Sequence, residues 1–146
     1  MGFRAACLGL LAALLYLPSL RGGFLAWDDR SLVLENPVVQ QPFGEAVCSA
    51  FSGPTGTTYW PLREISYALD RALWGWDPLG FHLTNVLLYA WVVAGLYWAA
   101  VRNLGAAGAF LGVLLFAVHP LHAESVAWIS GRKDLLATFF LILAWG

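Results

Sequence analysis

Charge is what this sequence has least of. Only 12% of its 146 residues are Asp, Glu, Lys or Arg, about half the ~25% usual in a soluble domain. The net charge is −1, so no basic surface exists to grip phosphodiester backbones, and a nucleic-acid partner is excluded as a class. Cysteine is also scarce. Cys7 falls in an apolar run and Cys48 in a polar stretch, so a bridge between them is not expected and no metal-type cysteine spacing exists. A small-x-small cleavage site is missing after the first apolar run, which argues for an uncleaved membrane helix over a secretory signal. What replaces charge is hydrocarbon. The chain is 60% hydrophobic with a mean hydropathy of +0.67, a composition that points to lipid as its solvent. Eight tryptophans and five tyrosines suit the membrane–water interface.

Four apolar segments are expected to be membrane helices: residues 5–20, 81–101, 104–118 and 135–146. The second is long enough to span. The third is rich in Gly and Ala, which lets helices approach closely in lipid. The fourth supplies only a dozen residues, about 18 Å of helix against a ~30 Å hydrocarbon core, and is read as the start of a span in an N-terminal fragment of a larger protein. Odd crossings put the polar loops 21–80 and 119–134 on one face of the bilayer. The turn Arg102-Asn103-Leu104-Gly105 lies opposite, with Arg4. The first loop is net acidic, which suits the outer face. Arg132 and Lys133 need a separate reason to be there.

Within the first loop, residues 61–74 read as an amphipathic helix lying at the interface. Pro61 suits its first turn. Leu62, Ile65, Leu69 and Leu73 form one stripe, with Arg63, Glu64, Asp70 and Arg71 off it. Trp76-Asp77-Pro78 should end it. It is either an anchor or a part of a site.

Three polar clusters carry the candidate chemistry. Asp28-Asp29 directly follows the first membrane helix. Carboxylates at a membrane boundary are costly, and a desolvated one can act as a general base; the alternative is a helix cap or a solvated loop pair. Asn36-Pro37 reads as turn chemistry that fixes the loop. His119-Pro120-Leu121-His122-Ala123-Glu124 could hold a divalent metal, the one candidate cofactor, only if the histidines share a helix start; otherwise they bond to backbone. Ser130-Gly131-Arg132-Lys133-Asp134 leads into a helix N-terminus. The helix dipole and two cations there make a phosphate site, or else snorkelling charges with Asp134 as a cap.

These residues carry a resemblance. The blocks Phe24-Leu25-Ala26-Trp27-Asp28-Asp29, Glu35-Asn36-Pro37-Val38-Val39, Tyr59-Trp60-Pro61-Leu62-Arg63 and Ile65-Ser66-Tyr67-Ala68-Leu69-Asp70 are similar to the start of the membrane half of the transmembrane and tetratricopeptide-repeat protein O-mannosyltransferases and their bacterial relatives. The run from Trp74 to Leu88 continues the match, and the run from His119 to Leu136 is its strongest part. Trp60 stands where relatives often carry Arg, and Tyr89 where many carry His.

The resemblance implies an all-α membrane protein, a GT-C-like polytopic helical bundle. It implies a glycosyltransferase that moves a mannose-like sugar from a polyprenyl-phosphate donor to a protein hydroxyl on the periplasmic or lumenal face. An acidic residue of the first loop would be the base, here Asp28 or Asp29, with Glu124 beside it. Arg132, Lys133 and Arg63 would bind the donor phosphate, and His119 and His122 would support the site. The bacterial plasma membrane is favoured over the endoplasmic reticulum. The partners are the polyprenyl-phosphate-linked sugar, the protein acceptor and membrane lipid. Spans and tetratricopeptide repeats would follow downstream. As a fragment the chain would be inactive. The competing expectation is a non-catalytic anchor, or a polyprenyl-lipid-binding or transport domain, for downstream repeats.

Overall fold

A computed structural model describes residues 2–54 and 59–145. Gly146, the last residue of the fourth expected segment, lies outside them. The chain is an all-α membrane protein. Helix α1 (Gly2–Tyr16) passes into a 3-10 turn (Leu17–Arg21). A one-turn π-helix (Arg30–Leu34), α2 (Phe43–Ala50) and α3 (Pro61–Trp74) follow. Then come α4 (Pro78–Ala117), α5 (His122–Ala127), a 3-10 turn (Ile129–Gly131) and α6 (Arg132–Trp145). Among the described residues two helical stretches are long and apolar enough to cross a membrane, Gly2–Arg21 and Pro78–Ala117.

Helix α4 is not straight. Gly105 sits at φ 65°, ψ 173° inside it, a backbone conformation that glycine adopts without steric cost. The chain reverses there. The Tyr89 hydroxyl reaches back to the carbonyls of Ala117 (3.1 Å) and Phe116 (3.5 Å), so the two arms lie side by side. Apolar residues of both arms, including Val93, Tyr97, Val101, Ala109 and Val113, share one core with Ala5, Leu8 and Ala12 of α1 and Leu135 of α6. Gly9 makes the α1 contact close: a Cβ there would stand 3.0 Å from the Ala90 carbonyl, the small-residue approach used between helices in lipid. Phe3, Arg4 and Cys7 meet Ala107, Phe110 and Leu111, so the start of α1 lies beside the Gly105 turn. The polar loops gather at the other end. Cys7 and Cys48 are free and exposed.

That end is a helical cap whose polarity is inverted. Helix α3 begins at Pro61 and stops at Trp74, with Gly75 at φ 65°. Asp77 then caps α4, its carboxylate accepting from the Leu79 N–H at 3.0 Å, with Pro78 in the first turn. The Leu62, Leu69 and Leu73 stripe of α3 faces outward, Leu73 being 66% exposed. Its polar face, with Arg63, Glu64 and Asp70, is buried. In water this would be inside out; against a lipid interface it puts apolar surface on hydrocarbon and polar groups on each other. Asn36 holds the loop ahead of it, its side-chain oxygen accepting from the N–H groups of Val38 (2.9 Å) and Val39 (3.4 Å).

Candidate functional site

The cap is organised around two buried polar centres. The first is Asp29, fully buried. Its Oδ2 accepts from the Leu25 N–H at 2.9 Å. Its Oδ1 accepts from the Ser130 N–H at 2.9 Å and from the Ser130 hydroxyl. One carboxylate therefore ties the first polar loop to the second, and a charged acceptor makes these bonds stronger than neutral ones. Asp28 differs from its neighbour. It is half-buried, and the acceptor recorded there is its backbone carbonyl, 3.3 Å from the Ser31 hydroxyl. The adjacent carboxylates thus have separate situations among the described residues: Asp29 is held on both oxygens and Asp28 is not.

The second centre is Arg132, also fully buried. Its guanidinium ion-pairs with Asp70 at 2.6 Å. It donates to Asn85 Oδ1 (2.7 Å), the Phe81 carbonyl (2.8 Å) and Ser66 Oγ (3.2 Å), and stacks 4.6 Å from the Tyr67 ring centroid. Each partner is held in turn. The Thr84 hydroxyl donates to Asp70 at 2.6 Å. The Asn85 amide donates to the Trp128 carbonyl at 3.0 Å. The Tyr67 hydroxyl donates to the Ile129 carbonyl at 3.0 Å, and burial pushes that phenol up to about 12, against the opposing pull of Arg132. The donors of Arg132 are thus spent on α3 and α4, and its side chain lies inside the protein.

Arg63 and Lys133 are placed otherwise. Both line a groove of ≈ 290 Å³ between the start of α3 and α6, walled by Tyr59, Trp60, Leu62, Leu136 and Phe140. Arg63 is 4% exposed, and its Nε has no hydrogen-bond partner among the described residues. Neither cation joins an ion pair among them. A buried guanidinium without a counter-charge is costly. The groove offers apolar walls and two cations in its lining.

Glu124 is exposed and lies elsewhere, in an open cleft with Leu25, Ala26, Trp27 and Trp128. The histidines do not join it. His122 packs tilted against Phe116, with centroids 4.2 Å apart, and near Tyr89 at 5.6 Å. Burial, with His119 adding to it, holds the His122 pKa below its ordinary value. The His119 Nδ1 accepts from the Leu121 N–H at 3.3 Å. Among the described residues no three His, Cys, Asp or Glu side chains gather to hold a metal ion. Asp134 accepts from the Ser125 hydroxyl at 3.4 Å.

Sequence reading assigned no site role to several residues that build these centres, Asp70, Thr84, Asn85 and Tyr67, and placed Ser130 in the anion cluster rather than on Asp29. Asp70 did stand out as a charge on the polar side of α3. The others are ordinary polar residues whose roles depend on partners far along the chain. His82 is buried beneath Gly22, where a Cβ would stand 2.9 Å from its Nε2; only its place in the Phe81-His82-Leu83-Thr84-Asn85 block gave any signal.

Comparison with known proteins finds relatives that align with most of the chain. The chain is 34% identical over 143 residues to Protein O-mannosyl-transferase TMTC2 of Homo sapiens, covering 92% of this chain and 17% of that protein. It is 37% identical over 153 residues to Protein O-mannosyl-transferase TMTC1 of Mus musculus, covering 96% and 16%. With Protein O-mannosyl-transferase Tmtc1 of Drosophila melanogaster the identity is 36% over 146 residues, covering 92% and 17%. The chain thus spans about a sixth of the length of these curated relatives. No family model matches, and no solved structure matches. With nine-tenths of its length aligned at this identity to several such proteins, the chain is similar throughout to one part of the transmembrane and tetratricopeptide-repeat protein O-mannosyltransferases.

Proposed function

We propose that this chain forms part of the membrane domain of a glycosyltransferase that moves a mannose-like sugar from a polyprenyl-phosphate donor to a protein hydroxyl. Segments 5–20, 81–101, 104–118 and 135–146 enter the membrane as a multi-pass bundle. Loops 21–80 and 119–134 lie on the periplasmic or lumenal face, and the bacterial plasma membrane is the favoured setting. The relatives named as O-mannosyl-transferases are far longer chains, so the activity is assigned to a protein of their length, with repeats beyond the membrane part, and not to these residues alone.

The observation that carries the donor class is the groove between α3 and α6. Its walls suit a single isoprenoid chain, and Arg63 and Lys133 in its lining suit a phosphate. In the reaction the acceptor oxygen bonds to the anomeric carbon as the carbon–oxygen bond to phosphate breaks. The acceptor proton passes to a carboxylate of the first loop, and the lipid phosphate leaves with the electron pair. Asp28 is the better base, since Asp29 already accepts three hydrogen bonds; Asp29 positions the loop and Glu124 orients a substrate hydroxyl. Arg63 and Lys133 stabilise the leaving phosphate. Arg132 supports them by holding α6 to α3, and His119 and His122 support the loop before it.

Sugar transfer by the full-length protein tests this. Asp28→Asn should abolish transfer while the protein still binds donor. Lys133→Ala should raise the donor KM. Full activity in both Asp28→Asn and Asp29→Asn removes the catalytic assignment. The same groove would serve a non-catalytic polyprenyl-lipid-binding module, and that reading predicts donor binding indifferent to the acidic pair, with no transfer in the unsubstituted protein.

A further inference from the structure

The cleft of ≈ 830 Å³ lined by Leu25, Ala26, Trp27, Glu124 and Trp128 is separate in its lining residues from the α3–α6 groove. Its composition is unusual for a loop surface: two indoles, one carboxylate and little else. Trp27 is 82% exposed, a large apolar face turned outward at the cleft. The Nε1 of Trp128 is buried yet has no hydrogen-bond partner among the described residues. Buried donors nearly always find a partner, so this one waits for an acceptor brought from outside. Glu124 is exposed on the same cleft, its carboxylate without a hydrogen-bond partner among the described residues. An indole face, an N–H donor and a carboxylate acceptor are complementary to one kind of molecule, a ring with C–H groups on its faces and hydroxyls around its edge.

The cleft is also rigidly assembled. Asp29 fixes Leu25 on one side and Ser130 on the other, so both walls are tied to a single carboxylate. Gly131 lets the chain after Trp128 lie against α5. A Cβ there would meet the Glu124 carbonyl at 2.6 Å and the Ser125 Cα at 2.8 Å. That contact sets Glu124 relative to Trp128.

From this we infer that Trp27, Trp128 and Glu124 form a pyranose subsite, which stacks a hexose ring on indole and holds its hydroxyls between the Trp128 N–H and the Glu124 carboxylate. The inference rests on the glycosyltransferase reading for which sugar arrives, the hexose carried by the donor, but not for the recognition chemistry.

The test uses the full-length protein in lipid nanodiscs with two separate probes, methyl α-mannopyranoside and sugar-free polyprenyl phosphate. Saturation-transfer NMR should show the mannoside ring protons in contact with the protein. Trp27→Ala should weaken mannoside binding on the order of three- to tenfold, and Trp128→Phe and Glu124→Gln, which keep side-chain shape, should each weaken it severalfold. Polyprenyl phosphate should bind these variants as it binds the parent. Mannoside binding lost in the variants supports the subsite even if polyprenyl phosphate fails to bind, in which case only the donor reading falls. No mannoside contact, or contact equal in parent and all three variants, overturns the subsite, and if polyprenyl phosphate still binds the donor reading survives. Quenching of Trp27 emission by brominated lipid would also overturn it, by making that indole a membrane anchor.

Discussion

Replacing Arg132 separates two roles that look alike in the sequence, a phosphate ligand and a structural latch. In the structure its guanidinium is fully buried, paired with Asp70 at 2.6 Å and bonded to groups on α3 and α4. Arg132→Met removes one member of a buried pair and strands the Asp70 carboxylate away from water. Breaking such a pair typically costs about 3–5 kcal/mol, a large fraction of a marginal stability of ~5–15 kcal/mol. Asp70→Leu should cost a similar amount by stranding the guanidinium. The double variant leaves no uncompensated charge, so its loss should fall short of the sum by as much as about 3 kcal/mol. Unfolding of the purified protein in detergent, followed for all four species in a double-mutant cycle, measures this. Additive losses, or an Arg132→Met protein within about 0.5 kcal/mol of the parent that has merely lost affinity for lipid phosphate, would refute the latch and return Arg132 to the donor site.

Other expectations are sharper in pairs. Asp29→Asn should destabilise by about 1.5–3 kcal/mol, because charged hydrogen bonds to buried donors are weakened; Asp28→Asn should stay within about 0.5 kcal/mol, and thermal unfolding distinguishes them. Gly131→Ala forces a Cβ to 2.6 Å from the Glu124 carbonyl and should cost about 1–3 kcal/mol by overpacking, visible as a lowered Tm. His122 should titrate below its ordinary 6.5 by NMR, since burial disfavours the imidazolium. The neutral ring is the form that packs, so its contribution is intact above pH ~6.5 and declines as pH falls through the folded value; a midpoint above 6.5 contradicts the packing.

Much of the frame was legible because its signals are local. Pro61, the leucine stripe and the Trp76-Asp77-Pro78 stop are contained within α3 and its exit, and they gave its limits. Arg102-Asn103-Leu104-Gly105 announced the reversal within α4. Which face of α3 would be buried was a harder question, because in a membrane protein the leucines and not the charges face the solvent. The roles of neighbouring residues were not legible at all. Asp28 and Asp29 are chemically identical in sequence, and only Ser130, far along the chain, makes one a tether. Arg132 and Lys133 look like one basic pair, yet the helix turns one into the core and leaves the other at the groove. Long-range partners leave no periodicity to read.

The Arg132–Asp70 latch has a consequence for biosynthesis. A chain that emerges from its N-terminus delivers α3, with Asp70, Thr84 and Asn85 soon after, long before Arg132 is made. Until then the Asp70 carboxylate has the Thr84 hydroxyl but no counter-charge from α6, and the cap cannot fully dry. Arg132 arrives at the first residue of α6, so closure of the cap waits for that helix to take its place beside α4. The latch therefore ties the cap to insertion: a chain whose α6 is misplaced lacks the counter-charge of Asp70 and keeps an open, hydrated cap.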